Sequence, residues 1–293
     1  MSQPTSRTRA TSLAELDERE ARLFNKEDFA LAKDVALRFT DVVITPYAKC
    51  GTTWLQQIVH TLRTRGDMDF DDISRVVPWI EISPGLGIDL NAAQKAEPRA
   101  FKSHLDADAI PKGGRYINAI RNPGDALISM HKFMEGWFLE PGAVSLEKMA
   151  KERFIKSGSY WKHLLSWWRR KQDPDVLFLV YEQMTADLPG TIRKVADFID
   201  IELDDELLAI TEEHASLGFM LKHKDRFDDV MMRTLGEDKA GLPIGSDSSK
   251  VRQGSVGGKL SLEIVAALNA AWMKNITQEI GFESYEALVA ELS

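Results

Sequence analysis

Residues 41–66 narrow the choice of folds more than any other stretch of this chain. DVVIT (41–45) is a short β-branched run of the kind that forms a buried strand. It enters a glycine-containing turn, PYAKCG (46–51), after which Trp54, Leu55, Ile58, Val59 and Leu62 recur at helical spacing. Arg63, Arg65 and Gly66 then supply the basic last turn and glycine stop of a helix. A strand feeding a helix through such a turn aims several backbone N–H groups at one spot, where the helix dipole adds to their attraction for an anion. Lys49 adds a full charge there, and Thr52 and Thr53 add hydroxyls.

The pattern recurs down the chain. RAFKSHL (99–105) and YINAI (116–120) read as strands, the latter followed by Asn122 as N-cap and Pro123 at the first helical position. VLFLVY (176–181) reads as another strand, followed by a helical stretch from Pro189 to Ile199. Alternating buried strands and helices predict an α/β fold with a central, mainly parallel β-sheet flanked by helices on both faces. With 293 residues, 44% of them hydrophobic and 28% charged, the chain fits one large domain, 13–293. An amphipathic stretch (Leu13 to Phe24) opens it and a helix from Leu262 to Ile280 closes it. Residues 1–12, polar and arginine-containing, are expected to be disordered. Residues 224–258 turn polar and irregular, and GLPIGSDSS (241–249) reads as part of a mobile lid.

A formal charge of −8 argues against general affinity for nucleic acid or anionic membrane, so any anion site must be local. Cys50 is the only cysteine, which excludes an internal disulfide and a cysteine-rich metal framework and suits a reducing compartment. The first residues hold no apolar leader and no apolar run is long enough to span a bilayer, so the expected location is cytoplasmic.

The turn is not a Walker loop, because its lysine precedes Gly51 and Thr-Thr-Trp follows it. A metal-and-triphosphate reading weakens accordingly. Nor is it a cysteine phosphatase loop, since C-x5-R would need arginine where Gln56 stands. For Cys50 the residues favour a small buried side chain in a turn over a reactive thiol.

KCGTTW (49–54) is similar to the Y-P-K-S-G-T-T-W loop of the cytosolic sulfotransferases, with Cys50 in place of serine. FKSHL (101–105) resembles that family's K-T-H-L, and RNPGDALIS (121–129) its R-N-P-K-D-x-x-x-S. GSYWKHLLSWW (158–168), VYEQM (180–184) and VRQGSVGG (251–258) extend the resemblance in the family's order, from about Asp41 to Gly258.

The resemblance implies transfer of a sulfuryl group from 3′-phosphoadenosine 5′-phosphosulfate (PAPS) to a hydroxyl or amine of a small, fairly apolar acceptor, with no metal. Such transfer asks for positioning, charge stabilisation and proton removal. By resemblance, Lys49 touches the bridging oxygen, Cys50, Gly51, Thr52 and Thr53 form the cradle of the 5′-phosphate, and Trp54 stacks on adenine. His104 is the implied general base, with Lys102 two residues away on the same strand face. Arg121 and Ser129 match residues that bind the donor's 3′-phosphate, and Arg252, Gln253 and Gly254 would close over it. Tyr181 matches a residue near adenine, although a tyrosine at a strand end also suits a core edge. Trp79, Phe133, Trp137 and Phe138 are the apolar side chains expected to line an acceptor pocket, and each is equally at home in a core.

The chain departs from the pattern in further places, and the tryptophan usual after the R-K-G loop is missing, since Gly257 and Gly258 lead directly to Lys259. HASL (214–217) stands for H-T-S-F beside adenine, Gln253 for a lysine, and KLSLEIVAAL (259–268) lacks the last three specified residues of the family's dimer motif. The resemblance therefore carries no dimer, and the oligomeric state stays open. Acceptors within the implied range are a phenol, alcohol, sterol, amine or glycolipid. Two other functions stand beside this reading: a P-loop kinase using ATP, and a non-catalytic nucleotide-binding module.

Overall fold

A computed structural model describes residues 7–24, 30–248, 250–252 and 260–292. The expected contacts of Gln253 and Gly254 lie outside the described residues. At the centre is a four-stranded, wholly parallel sheet in the order β2-β1-β3-β4, with β1 at Val42–Ile44, β2 at Ala100–Lys102, β3 at Arg115–Ile120 and β4 at Val176–Val180. Val43 pairs with Phe101 on one side and Tyr116 on the other, so β1 is enclosed by neighbours.

Side-chain alternation along β1 divides the core. Val42 and Ile44 pack with Leu55, Ile58, Val59, Ile192, Val195 and Leu207 on one face, whereas Val43 packs with Phe101, Tyr116, Ile80 and Trp167 on the other. The helices over the first face are α2 (Thr52–Thr64), α5 (Leu188–Phe198) and α6 (Asp205–Ala215); α3 (Pro123–Trp137) and α4 (Ser159–Trp168) follow β3 and precede β4. A third apolar cluster joins Leu127, Trp137, Trp161, Leu164 and Trp272, and the three tryptophans 161, 167 and 168 are all buried. Each fully buried Leu, Ile or Val contributes about 1.5–3 kcal/mol, which is why this patterning decides the fold.

The local signals act as their chemistry demands. Helix α2 stops at Arg65 in left-handed geometry, and the Gly66 N–H returns to the Thr61 carbonyl at 3.1 Å. Asn122 caps α3, its side chain accepting from the Gly124 and Asp125 N–H groups. The closing helix begins at Leu262 and reaches Ile280 through a π-helical stretch, Met273–Thr277.

Two expectations need correction. The segment before Ser12 is not wholly disordered: Ala10 is fully buried, its N–H donates to the Phe138 carbonyl, and its own carbonyl accepts from Glu140. Backbone pairing, invisible in a polar composition, orders it. Residues 224–248 are less irregular than their polarity suggests, because Val230–Lys239 forms a helix (α7) that packs against α1 (Leu13–Leu23). Met232 and Gly236 are its buried positions, too few to register as a periodic stripe among charged neighbours. Among the described residues no helix is long and apolar enough to cross a membrane.

Candidate functional site

Strand order places the site. The chain leaves β1 for β2 on one side, then crosses back to β3 on the other, so the loops after the strands diverge and open a crevice at their carboxyl ends. The implied residues sit on those ends. The turn carrying Lys49 follows β1, Lys102 is the last residue of β2, Arg121 follows the last residue of β3, and Tyr181 follows the last of β4.

The turn itself is held in unusual backbone geometry. Lys49 has φ 73° and Gly51 φ 97°, and a Cβ on Gly51 would also come within 3.1 Å of the Tyr181 ring. Glycine is thus required twice over at that point, whereas the lysine stays in a conformation that costs energy, a feature concentrated at functional sites. Arg121 Nη1 donates to the Lys49 carbonyl at 3.0 Å, and its guanidinium lies 4.2 Å from the centre of the Tyr181 ring. The Trp54 ring meets Tyr181 edge-on at 5.8 Å, and Trp54 Nε1 donates to the Ala215 carbonyl at 2.8 Å. The altered HASL segment therefore meets Trp54 through its main chain. Among the described residues, Thr52 Oγ1 and Arg121 Nε are buried without a hydrogen-bond partner. Unmade hydrogen bonds of this kind are costly, and an anion in the turn is a partner of matching chemistry for both. Cys50 is fully buried and burial pushes its thiol up to about 12, so it stays neutral packing beneath the turn.

At the end of β2 the ladder runs one residue further, Ser103 N–H bonding the Ile44 carbonyl at 2.9 Å, and His104 follows. The His104 Nδ1 lies 2.8 Å from the Pro46 carbonyl, which can only accept, so Nδ1 carries the proton and Nε2 keeps its lone pair. Burial first, and then the charge of Lys102, push His104 down to about 3. The imidazole is neutral at physiological pH. Trp79 packs against both groups, its ring 5.2 Å from His104 and 4.0 Å from the Lys102 ammonium. That tryptophan comes from a segment that docks on β2, Ile80 N–H bonding the Lys102 carbonyl and Lys102 N–H the Pro78 carbonyl, both at 2.8 Å.

Three residues at this end escaped the motif reading. Glu81, buried and with its carboxyl raised by that burial, accepts the His104 backbone N–H at 2.6 Å. Its signal was an acid inside the apolar run VPWIEI (77–82). Asp229 lies 3.6 Å from the Lys102 ammonium and is also paired with Lys250; no local pattern marks either. Burial, helped by Asp229's neighbours Lys250 and Lys102 and by Arg252, sets the balance of charge here: Lys49 is held well below the ordinary lysine value by burial and by those three cations, against which Asp229 acts as the opposing charge.

The remaining implied residues take these positions. Phe133 lies under the Lys49 ammonium, 4.3 Å from ring centre to nitrogen, and its ring meets Trp137 edge-on. Trp137 and Phe138 are buried with ring centres 4.3 Å apart, deeper than Phe133. Ser129 is buried on α3. Arg252 is half-buried; burial and then nearby Arg121 lower its pKa, while Tyr181 opposes that change. The structure thus brings Lys49, Lys102 and His104 together with Trp79 and Phe133, and Arg121 and Arg252 together with Tyr181.

Comparison with known proteins agrees with this architecture. Residues 39–278 match the family model described as "Sulfotransferase domain". Sulfotransferase 1B1 of Mus musculus is 33% identical over 196 residues, covering 61% of this chain and 65% of the mouse protein. The matched stretch therefore spans just under two thirds of that curated relative. Two solved structures share the fold: mouse sulfotransferase SULT7A1 complexed with PAP (TM-score 0.67, 20% identity, 93% of this chain and 95% of that one) and retinol dehydratase in a complex with retinol and PAP (TM-score 0.67, 20% identity, 89% and 94%). The match of most of the chain to the family model, on a fold whose strand ends carry the family's motifs in order, shows that this protein belongs to the sulfotransferase domain family.

Proposed function

We propose that the protein transfers the sulfuryl group of PAPS to a hydroxyl or amine of a small, fairly apolar acceptor, using His104 as general base. The observation that carries this reading is the neutral His104 imidazole, fixed through Nδ1 by Pro46 and standing beside Lys102 at the mouth of a phosphate-type turn. PAPS supplies an activated sulfuryl group; every other requirement falls on the chain. The PAP named in both structural neighbours is the desulfated form of that donor, which supports the assignment by analogy.

In this reading the N–H groups at the start of α2, with Thr52 and Thr53, hold the 5′-phosphate, and Trp54 and Tyr181 flank the adenine. Arg121, Ser129 and Arg252, with Gln253 and Gly254, take the 3′-phosphate, where arginine's fork suits the ligand. Lys49 and Lys102 face the charge that develops on the leaving and sulfuryl oxygens. His104 Nε2 accepts the acceptor's proton as the new bond to sulfur forms. An anionic donor next to Lys102 offsets that lysine's effect on the imidazole, so the base gains proton affinity when the donor is in place. Trp79 and Phe133 form the pocket wall nearest the base, backed by Trp137 and Phe138. Residues from Leu13 onward act as one domain in this scheme, with the stretch around 224–258 as its cover.

An ATP-using kinase is not favoured, since Thr-Thr-Trp stands where a Walker lysine would follow Gly51. The test is sulfate transfer from radiolabelled PAPS to a panel of phenols, sterols, amines and glycolipids. His104→Ala should lower turnover by about 10²–10⁴-fold, the range for general acid–base catalysis. Unchanged turnover in that variant removes the histidine from its role, and no transfer to any acceptor together with no heat on titrating PAP removes the reading itself.

A further inference from the structure

Asp229 is not part of any motif discussed above, yet it is among the most constrained residues near the site. Its side chain is 3% exposed and its backbone has φ 49°, a left-handed conformation that non-glycine residues seldom adopt. One carboxylate oxygen lies 3.6 Å from the Lys102 ammonium and 3.4 Å from Ser74 Oγ, and the other bonds the Lys250 ammonium. Lys102 and Lys250, at 2% and 10% side-chain exposure, come from segments 148 positions apart in the chain as the numbering runs, and share this one carboxylate.

A purely structural ion pair is usually one acid to one base with its other donors satisfied. Here a single acid serves two ammoniums, with Lys49 as a third cation close by. Two lysines cannot both stay charged in so buried a place without a counter-ion, because like charges and desolvation act together against them. Trp79 on one side of Lys102 offers only its ring face. Asp72 is buried beside Asp229, but its oxygens already accept the Ser74 N–H at 2.8 Å and the Met231 N–H at 2.9 Å, which fixes the segment bearing Asp229.

We propose that Asp229 is a positioning residue whose one carboxylate holds the ammoniums of Lys102 and Lys250 side by side, making Lys250 a further cation of the site that receives the sulfuryl group. The role of the two ammoniums rests on the sulfuryl-transfer reading above; their shared dependence on Asp229 does not. The charged groups facing Lys102 are Asp229 and Lys250, then Asp72 and Glu81, with His104 two residues along and Lys49 across the crevice. Burial is the largest influence and lowers Lys102 to about 8 even with Asp229 present. Since the ammonium is the useful form, its contribution is complete below that pH and is lost as pH rises through it. Removing Asp229 should move the loss to lower pH, and removing Lys250 should move it to higher pH.

Lysine side-chain NMR titration of the full chain, with the Lys102 signal assigned by its absence in Lys102→Met, reads this without any turnover. Asp229→Asn keeps the left-handed backbone accessible and should lower the Lys102 midpoint by about one unit or more, the scale for loss of an opposite charge within ~4–6 Å. Lys250→Met should raise it. The alkaline limb of kcat/KM for PAPS, which reports the free enzyme, should move in the same two directions. If Asp229→Asn does not fold, Lys250→Met alone decides. A Lys102 midpoint unmoved by Asp229→Asn, or one that stands still or falls in Lys250→Met, overturns the proposal. PAP calorimetry on the unaltered protein separates this from failure of the sulfuryl-transfer reading, because heat on PAP binding can persist whatever the lysine titrations show.

Discussion

At the two ends of β2 a buried basic side chain meets a buried aspartate, and the two pairs are built in opposite ways. Before the strand, Arg99 holds Asp41 through two hydrogen bonds and gives its remaining donors to the Leu90 and Ala36 carbonyls at 3.2 and 2.8 Å, while Asp41 Oδ2 also accepts the Arg38 N–H at 2.7 Å. After the strand, Lys102 stands 3.6 Å from an aspartate it shares with Lys250. The first pair is saturated and closes the bottom of the sheet. The second leaves cations in excess at the top, where, among the described residues, Thr52 Oγ1 and Arg121 Nε also lack partners. The contrast lies between the two pairs: Arg99 and Asp41 satisfy each other and their surroundings, whereas the cations around Asp229 outnumber it, and an anionic ligand would be a partner of matching chemistry for them.

The contrast can be broken at its saturated end with the largest effect. Asp41→Ala strands a buried guanidinium and should cost about 3–5 kcal/mol of stability by denaturant unfolding, with PAP affinity of the folded fraction nearly unchanged. At the other end the expectation inverts. Arg121→Ala should weaken PAP binding by about 1.5–3 kcal/mol in calorimetry, the range for hydrogen bonds to charged groups; equal affinity would place the 3′-phosphate elsewhere. A third kind of pair sets the baseline: Arg75 and Asp71 are exposed partners four residues apart, and Arg75→Ala should change stability by only about 0.3–0.5 kcal/mol. A large loss there would mean that exposure is a poor guide to the worth of an ion pair in this protein.

Much of the saturated architecture was legible because its signals are local. The β-branched run of β1, the Asn122-Pro123 cap and the Arg65-Gly66 stop each act within a few residues, and each element formed where its signal stands. Lys49, Lys102, His104 and Arg121 stand in motifs that fall at strand ends, and the strand order explains why residues so distant in sequence meet. Asp229 and Lys250 were not legible, because their significance lies in a contact across 21 positions and in a buried lysine contributed by β2. Helix α7 was hidden for a related reason, its burial resting on Met232 and Gly236 rather than on a full apolar stripe. Ala10 was misjudged because main-chain bonds, which composition cannot reveal, secure it to Phe138 and Glu140.

The bond from His104 to the Pro46 carbonyl has a mechanical meaning beyond fixing a tautomer. Pro46 is the first residue after the strand and its adjoining Thr45, three positions ahead of Lys49, so in the proposed reaction the ring that would take the acceptor's proton is bolted to the track that would carry the donor. Any displacement of that track, by a substitution or by a misfitting nucleotide, would swing the imidazole as well, and the two halves of the reaction would lose alignment together.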